Sequence, residues 1–200
     1  LETPGIALQS TVREVARMGE IVAESLQVAK GVLFTLKEEE ISFLKEEETT
    51  VDKLSAGITG YAIKLSGLQI SEKEHQDDIE RISDYCENIS EFAESLYEKK
   101  ASFSEVGSAQ LKEMFEVCVD SYQYAYEAFV EQNREKALKV IEKETQADDL
   151  EIALRSKHIK RLASNQCSTE AGIVFLDALV CLERISDHAR NIAEEVLERV

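Results

Sequence analysis

Residues that break helices are scarce in this chain of 200 residues. It has one proline, Pro4, together with eight glycines and no tryptophan. Proline removes a backbone donor and clashes with the preceding turn, so its absence after position 4 leaves long helices permitted along nearly the whole chain. The hydrophobic residues make up 44% and the charged residues 32%. This is the composition of a globular protein that is long enough to bury a core, and it excludes a disordered chain.

Basic residues are also in the minority. The chain has 23 Lys and Arg against 40 Asp and Glu, which gives a formal net charge of −17. This charge repels a phosphate backbone and an anionic lipid surface, so we predict no nucleic-acid partner. Free phosphate would be repelled as well unless a metal or a basic partner mediates the contact. Cations are the small ligands that such a surface favours.

A membrane span, a disulfide framework and catalytic motifs are missing too. The longest apolar stretch, Ala171–Leu182, is too short to cross a bilayer and contains Asp177, which predicts no membrane insertion of this segment. Nucleophile elbows, glycine-rich phosphate loops and catalytic triads are absent, so no enzyme is indicated. Four cysteines without a C-x-x-C motif are interpreted as reduced thiols of a cytoplasmic protein: Cys86, Cys118, Cys167 and Cys181.

Apolar residues recur at helical spacing in six segments, which predicts an all-α fold of six long helices. The first helix is expected to begin at Pro4 and to end near residues 34–37, and the second to stop around Gly67. The segment Ala101–Gln110 is rich in small residues and contains Gly107, and it is the best internal break. N-caps are predicted at Thr3, Ser71 (in a capping box with Glu74), Asn133 and Ser168.

The two halves of the chain match each other. ERISDYCENISE begins at Glu80 and ERISDHARNIAE at Glu183, and eight of twelve positions coincide. Upstream, ETTVDKL begins at Glu48 and ETQADDL at Glu144, so both motifs occur in the same order in each half. We interpret the chain as a tandem duplication of a three-helix unit, with repeats at residues 1–101 and 102–200 forming one compact unit.

Each repeat carries two Glu-x-x-x-Asp pairs. Carboxylates four residues apart on a helix are neighbours and repel by a few tenths of a kcal/mol when nothing lies between them. A solvated surface explains one such pair, but four matched pairs indicate a cation held through oxygen, such as magnesium, calcium, manganese or iron. A structural zinc site of the usual kind is less expected, because Cys and His are few nearby. The candidate ligands are Glu48, Asp52, Glu80, Asp84, Glu144, Asp148, Glu183 and Asp187.

Other polar residues leave alternatives open. Glu72-x-x-His75 has the spacing of a ferritin-like di-iron ligand pair, although the chain has only one such spacing. His188 is either a phosphoacceptor or a packed residue beside the core, and His158 has no evident partner. A bundle without bound metal, whose acidic stripes only keep the surface soluble, is a further alternative. Three tyrosines alternate on the fourth helix and are expected to be partly core and partly surface: Tyr122, Tyr124 and Tyr126.

The segments ERISDYCENI and ERISDHARNI resemble the helix-three signature of PhoU domains, Glu-Arg-Ile-Gly-Asp-His followed by Asn-Ile-Ala. Ser83 and Ser186 stand where that signature has Gly, and Tyr85 stands where it has His. The resemblance implies two antiparallel three-helix bundles side by side, with metal clusters on their surfaces held by the eight carboxylates named above. It also implies no enzymatic turnover and negative regulation of phosphate uptake through contact with a transporter or a sensor kinase.

The opening segment, TPGIALQSTVREVARMGEIV from Thr3, resembles the start of the PhoU-like region at the C-terminal end of bacterial sodium/phosphate cotransporter-family proteins. A chain that begins with Leu1 rather than Met fits a piece of such a longer protein. We therefore expect a cytoplasmic domain, associated with the membrane through a fused or partner transporter. The bound ion is expected to be Fe, Mn, Mg or Zn, and association into a homodimer is left open.

Overall fold

A computed structural model describes the backbone of residues 4–64 and 72–199, and side chains within 9–61 and 73–199. All regular structure in these ranges is helical, which confirms the predicted all-α fold. The predicted caps at Thr3 and Ser71 and the predicted stop at Gly67 lie outside the described residues. The six helices are α1 (Pro4–Thr35), α2 (Glu38–Lys64), α3 (Glu72–Glu98), α4 (Glu105–Glu131), α5 (Arg134–Ala163) and α6 (Thr169–Arg199).

The helices form two three-helix bundles that lie side by side. Helices α1, α2 and α3 pack on one another, as do α4, α5 and α6, and the two halves meet where α1 contacts α4 and α3 contacts α6. We call α1, α3, α4 and α6 the inner helices. In the described part of the chain, the outer helices α2 and α5 contact only helices of their own half. A single continuous apolar core runs through both bundles.

Two of the predicted caps are present. The side-chain oxygen of Asn133 accepts a hydrogen bond from the backbone N–H of Lys136 at 3.2 Å and begins α5. The hydroxyl of Ser168 accepts one from the backbone N–H of Ala171, also at 3.2 Å, and begins α6. These bonds satisfy backbone donors that the first turn of a helix leaves without a partner. They confirm the predicted starts of the fifth and sixth helices.

The predicted break at Ala101–Gln110 is only partly right, because α4 begins at Glu105. The hydroxyl of Ser104 caps this helix by accepting a hydrogen bond from the N–H of Gly107 at 3.1 Å. Gly107 lies in the first helical turn, where a Cβ atom would come within 3.2 Å of the Ser104 hydroxyl and 3.8 Å of the Phe175 ring. The glycine therefore serves close packing, and the connection between the halves is confined to residues 99–104.

A close crossing of α1 and α4 joins the two halves. The Tyr122 hydroxyl is buried and donates a hydrogen bond to the backbone carbonyl of Gly19 at 2.9 Å. A Cβ atom on Gly19 would lie 2.7 Å from the Tyr126 ring, which is closer than real contacts allow. Of the three alternating tyrosines, Tyr122 belongs to the core, while Tyr124 and Tyr126 are half-buried against it. Packing thus accounts for this row of aromatics.

We expect Gly19→Ala to lower the free energy of unfolding by about 1–3 kcal/mol, because the added methyl group forces the Tyr126 ring or the two helices apart. Gly31→Ala is the matched control on the same helix, since nothing lies within 4 Å of a Cβ atom there. Alanine is the better helix former, so the control should stabilise the protein by about 0.5–1 kcal/mol. Urea unfolding of both variants measures the two changes, and equal midpoints would contradict the proposed crossing.

The structure also bears on the predictions from cysteine and hydropathy. All four cysteines are free thiols, and three of them are buried. Burial raises the pKa of the Cys181 thiol to about 12, which leaves it protonated and unreactive at neutral pH. Within residues 4–64 and 72–199, none of the helices combines the length and hydropathy needed to cross a bilayer.

Candidate functional site

Helices α2 and α3 bring three predicted carboxylates together in the first half of the chain. Glu48 and Asp52 are one turn apart on α2, and Asp84 faces them from α3. Each offers one carboxylate oxygen, and these three oxygens lie within 4.8 Å of one another. We call this group the first carboxylate site. Asp52 is exposed and the other two are half-buried, so the group lies at the surface of the bundle.

The second half repeats this arrangement with α5 and α6. Glu144 and Asp148 are one turn apart on α5, and Asp187 faces them from α6. Their three oxygens also lie within 4.8 Å of one another, and they form the second carboxylate site. Glu144 is the most buried member, with 5% of its surface exposed. The sequence duplication therefore places an equivalent group of three carboxylates on each half of the protein.

The remaining two predicted residues lie outside these groups. Glu80 accepts a hydrogen bond from the Ser55 hydroxyl, which also receives one from the Gln76 amide at 2.7 Å. Glu183 has a carboxylate oxygen 3.6 Å from the side chain of Arg184. Burial, and then the charge of Asp187, raises the pKa of Glu183. Glu183 therefore lies beside the second site, where it interacts with Asp187, but it is not one of the three grouped carboxylates.

Crowding of negative charge is strongest in the first site. Burial raises the pKa of Glu48 to about 7, and the charges of Asp52, Glu87 and Asp84 add to this effect. Burial also raises the pKa of Asp84, against an opposing effect of Arg81. In the second site, burial and the charge of Glu144 raise the pKa of Asp148. Carboxylates that resist ionisation because they are partly buried and face one another are stabilised by a cation placed between them.

The two sites differ at one position that sequence reasoning missed. Glu87 adds a fourth carboxylate beside the first site, where it interacts with Asp84 and Asp52. The equivalent residue of the second repeat is Arg190, which lies 2.8 Å from a carboxylate oxygen of Glu144. Both are the eighth residue of the repeated twelve-residue segment, so the aligned repeats already contained the signal. The second site thus carries a guanidinium where the first carries a carboxylate.

A second arginine is common to both sites and does not distinguish them. Arg81 lies 3.5 Å from Asp84, and Arg184 lies 3.2 Å from Asp187. Both pairs are exposed and separated by three residues on one helix, so each contributes little to stability. Within the repeated twelve-residue segments, the difference in charge between the sites therefore comes from Glu87 and Arg190.

His188 and Asn191 link the two halves of the protein. A ring nitrogen of His188 lies 2.7 Å from a carboxylate oxygen of Asp78, and the amide of Asn191 donates to the same oxygen at 3.0 Å. Asp78 is on α3, whereas both of its partners are on α6. Packing and hydrogen bonding across the interface account for His188, in keeping with the packed alternative considered above.

His75 also lies at this interface and belongs to neither carboxylate site. Its ring is fully buried, 4.6 Å from the Phe129 ring, and its Nδ1 atom is 3.1 Å from a carboxylate oxygen of Glu195. Burial lowers the pKa of His75 to about 4 and raises that of Glu195 to about 8. Its position does not provide the ligand that a di-iron site requires. His158 is packed as well, with its ring stacked on Phe175 at 4.1 Å.

The whole sequence is similar to proteins named for phosphate transport. It is 29% identical over 194 residues to the phosphate-specific transport system accessory protein PhoU homolog 1 of Thermotoga maritima, covering 92% of this chain and 83% of that protein. It is 25% identical over 204 residues to the phosphate-specific transport system accessory protein PhoU homolog of Xylella fastidiosa strain 9a5c, covering 95% of this chain and 83% of that protein.

Solved structures show the same fold. PhoU from Pseudomonas aeruginosa superposes with a TM-score of 0.89 at 22% identity, covering 98% of this chain and 97% of that one. The phosphate transport system regulatory protein PhoU from Streptococcus pneumoniae gives a TM-score of 0.82 at 21% identity, with coverage of 96% and 94%. The sequence pattern of the PhoU domain matches residues 15–93 and 111–196, one stretch in each repeat. This chain therefore belongs to the PhoU domain family.

Proposed function

We propose that this chain is a metal-binding, non-enzymatic regulator of phosphate uptake that acts on a membrane transporter. The observation that carries the metal proposal is the convergence of three carboxylates from two helices at equivalent places in both halves. The regulatory role is supported by relatives named as accessory proteins of a phosphate-specific transport system. A phosphate signal and an acidic protein are compatible when a cation or a protein partner mediates between them.

The donor atoms of both sites fit a hard or borderline cation. Every member of the two groups offers carboxylate oxygen, which suits magnesium, manganese and iron. Zinc binds carboxylate oxygen too, although its structural sites favour Cys and His. A cation there would neutralise the repulsion within each group. The residues that would hold it are Glu48, Asp52 and Asp84 with Glu87 nearby, and Glu144, Asp148 and Asp187 with Glu183 nearby.

The two sites should bind a cation with unequal affinity. In the second site Arg190 already provides positive charge, and its Nε atom is also held by Glu194 at 2.7 Å. A metal ion there must displace the guanidinium or share Glu144 with it. The first site has Glu87 at the matching position, and the nearby Lys45 is paired with Glu94 at 2.7 Å. We therefore expect the first site to fill at lower metal concentration.

A second candidate function is a protein-interaction bundle that binds no metal. The ion pair between Arg190 and Glu144 supports it, because it neutralises part of one carboxylate site from within the chain. On this alternative, the acidic stripes only maintain solubility, and partners recognise other surfaces. The two functions differ in one measurable property, which is whether divalent cations stabilise the folded state.

Thermal melts with added metal distinguish the two functions. At a hundredfold excess over Kd, manganese, iron, magnesium or zinc should stabilise the wild type by about 3 kcal/mol, a rise in Tm of roughly 6–12 °C for a chain of this size. The double variant Asp52→Asn/Asp84→Asn should lose most of this rise. Glu113→Gln, at an exposed position on α4, is the control and should respond like the wild type. An equal response of the double variant, or no response of the wild type, rules out the first site.

We further propose that this domain lies in the cytoplasm beside a transporter, fused to it as in the sodium/phosphate cotransporter-related proteins or bound to it as a separate chain. The similarity of residues 3–22 to the start of such regions supports the fused arrangement. An antibody against this domain, used on membranes of the native organism, tests it. A band much larger than 22.5 kDa that resists carbonate extraction supports fusion. A band of this size that carbonate releases supports a separate chain. Recovery of a sensor kinase with that chain, instead of a transporter, contradicts the transporter partner.

A further inference from the structure

An exposed aliphatic patch lies on the outer surface of the second half. Ile152 and Ile159 are seven residues apart on α5, with 66% and 53% of their surfaces exposed. Ile173 and Val180 are seven residues apart on α6, with 56% and 42% exposed. A buried residue lies within two positions of each of them along the helix, so their exposure is not a fraying end. We call these four residues the aliphatic patch.

The four side chains face the same side of the helix pair. Each residue advances about 100° around a helix, so Ile152 and Ile159 lie within about 40° of Asp148 on α5. Val180 and Ile173 lie within about 40° of Asp187 on α6 by the same count. The carboxylates of Asp148 and Asp187 meet in the second carboxylate site, which places both stripes on one face. The aliphatic patch therefore continues directly from that site.

The antiparallel register of α5 and α6 brings the two stripes to the same height. The Glu144–Arg190 pair lies at one end of the contact, and the hydrogen bond between His158 and the Gly172 carbonyl, at 3.1 Å, lies towards the other. Between these points Ile152 falls opposite Val180, and Ile159 falls opposite Ile173. A shallow groove of about 320 Å³ runs along α5 beside the two isoleucines, lined also by Glu151, Arg155, Ser156 and Lys160.

The first half shows that the fold does not require an aliphatic residue at two of the four positions of the aliphatic patch. In the register of the duplication, Ile152 corresponds to Ala56 and Val180 to Asp77, and both are exposed. Ile159 and Ile173 correspond to Ile63 and Ile70, whose side chains lie outside the described residues. The same architecture thus tolerates a small residue and a charged residue at the first two positions. The exposure of the aliphatic side chains of Ile152 and Val180 is therefore not explained by what the duplicated fold requires at these two positions.

We propose that the aliphatic patch binds one amphipathic helix of a partner protein, with the aliphatic face of that helix on the patch and a basic end towards Asp148 and Asp187. The four residues expose roughly 400 Å² together, well below the roughly 800 Å² that each partner of a stable dimer buries, and in the range of a single helix in a groove. A second copy of this chain would also bring two net charges of −17 together. The chemistry that fits is an aliphatic row followed, about 6–10 Å further along, by Lys or Arg.

The inference rests on the proposed function only for the identity of the partner. Binding is measured without added metal, so that it does not depend on the proposed metal sites. The probe is a fluorescein-labelled synthetic helix with leucines along one face and three lysines beyond its last leucine. Fluorescence anisotropy should give micromolar binding to the wild type and at least tenfold weaker binding to Ile152→Asp/Val180→Asp.

Ala56→Asp in the first half is the matched control and should bind like the wild type. Circular dichroism melts verify that the double variant is folded. Ile159→Asp is a second variant with only one substitution, and the same weakening of probe binding is expected from it. Replacing the lysines of the probe by glutamates should weaken binding at least tenfold. Equal binding by all variants overturns the proposal. A dimer detected by light scattering that the double variant abolishes overturns it as well, in favour of a second copy.

Discussion

Exchanging one charge in each half should reverse the order in which the two carboxylate sites bind metal. We expect Glu87→Arg to weaken manganese binding at the first site about 100-fold, and Arg190→Glu to strengthen binding at the second site by a similar factor. Each substitution changes the charge of a side chain about 6 Å from the divalent cation by two units. At the dielectric constant of water, the resulting change in Coulomb energy is roughly 3 kcal/mol. Titration calorimetry of each variant measures both affinities.

The Arg190→Glu variant has a second expected effect in the absence of metal. Glu144 is nearly buried and loses its guanidinium partner, so the metal-free variant should be about 1–3 kcal/mol less stable than the wild type. Added manganese should restore this stability, which separates loss of a counter-charge from general misfolding. Thermal melts with and without manganese provide the measurement.

Glu142→Arg controls for the change in net charge alone. This residue is exposed on α5 and lies about 200° around the helix from Glu144, so it changes the same charge on the opposite face. Its manganese affinities should match those of the wild type. If the two exchanges act no more strongly than this control, the carboxylate groups do not bind the cation. If Glu87→Arg alone has no effect, the first site is not the tighter one.

As pH increases, metal affinity at the first site should rise about tenfold per pH unit up to pH 7 and level off above it. Burial and neighbouring carboxylates raise the pKa of Glu48 from 4.5 to about 7, so below this value a proton must leave before Glu48 can coordinate. The same shift destabilises the metal-free protein as pH rises. Between pH 4.5 and 7 the folded chain holds a proton that the unfolded chain has released. The free energy of unfolding therefore falls as pH rises through this range.

Glu48→Gln should remove most of this pH dependence of binding and weaken it overall, because the amide carries neither the charge nor the proton. Glu195→Gln is the control. Its pKa is raised to about 8, mainly by burial, so Glu195 also makes metal-free stability fall as pH rises. It belongs to neither carboxylate site, however, and its substitution should leave the pH dependence of manganese affinity unchanged. A flat affinity profile in the wild type would exclude Glu48 as a ligand.

Much of the fold follows from local sequence features. A chain with no proline after Pro4 and with apolar residues at helical spacing has few alternatives to long helices. Asn133 and Ser168 act as caps because hydrogen bonding at a helix start is a local property. The duplication then placed carboxylates on neighbouring helices, and the three-residue groups of both halves follow that geometry. That a metal binds there stays a prediction.

Other features depend on contacts that a single sequence does not display. Gly107 resembles a helix breaker, but its role is to admit a neighbouring side chain at a packed helix start. His75 has no partner in its own segment because Glu195 comes from the last helix, 120 residues later. Arg190 is a different case. It occupies a position at which the two repeats differ, whereas the predicted ligands come from positions at which the repeats coincide.

Each carboxylate site joins an outer helix to an inner one, α2 to α3 in the first half and α5 to α6 in the second. Because the outer helices pack only within their own half in the described chain, loosening one of them would break contacts in that half alone. With cations bound as proposed, each ion is a removable crosslink on one outer helix. Cation concentration would then set the stability with which that helix packs on its half. The two repeats would respond separately, while the four inner helices keep the halves together.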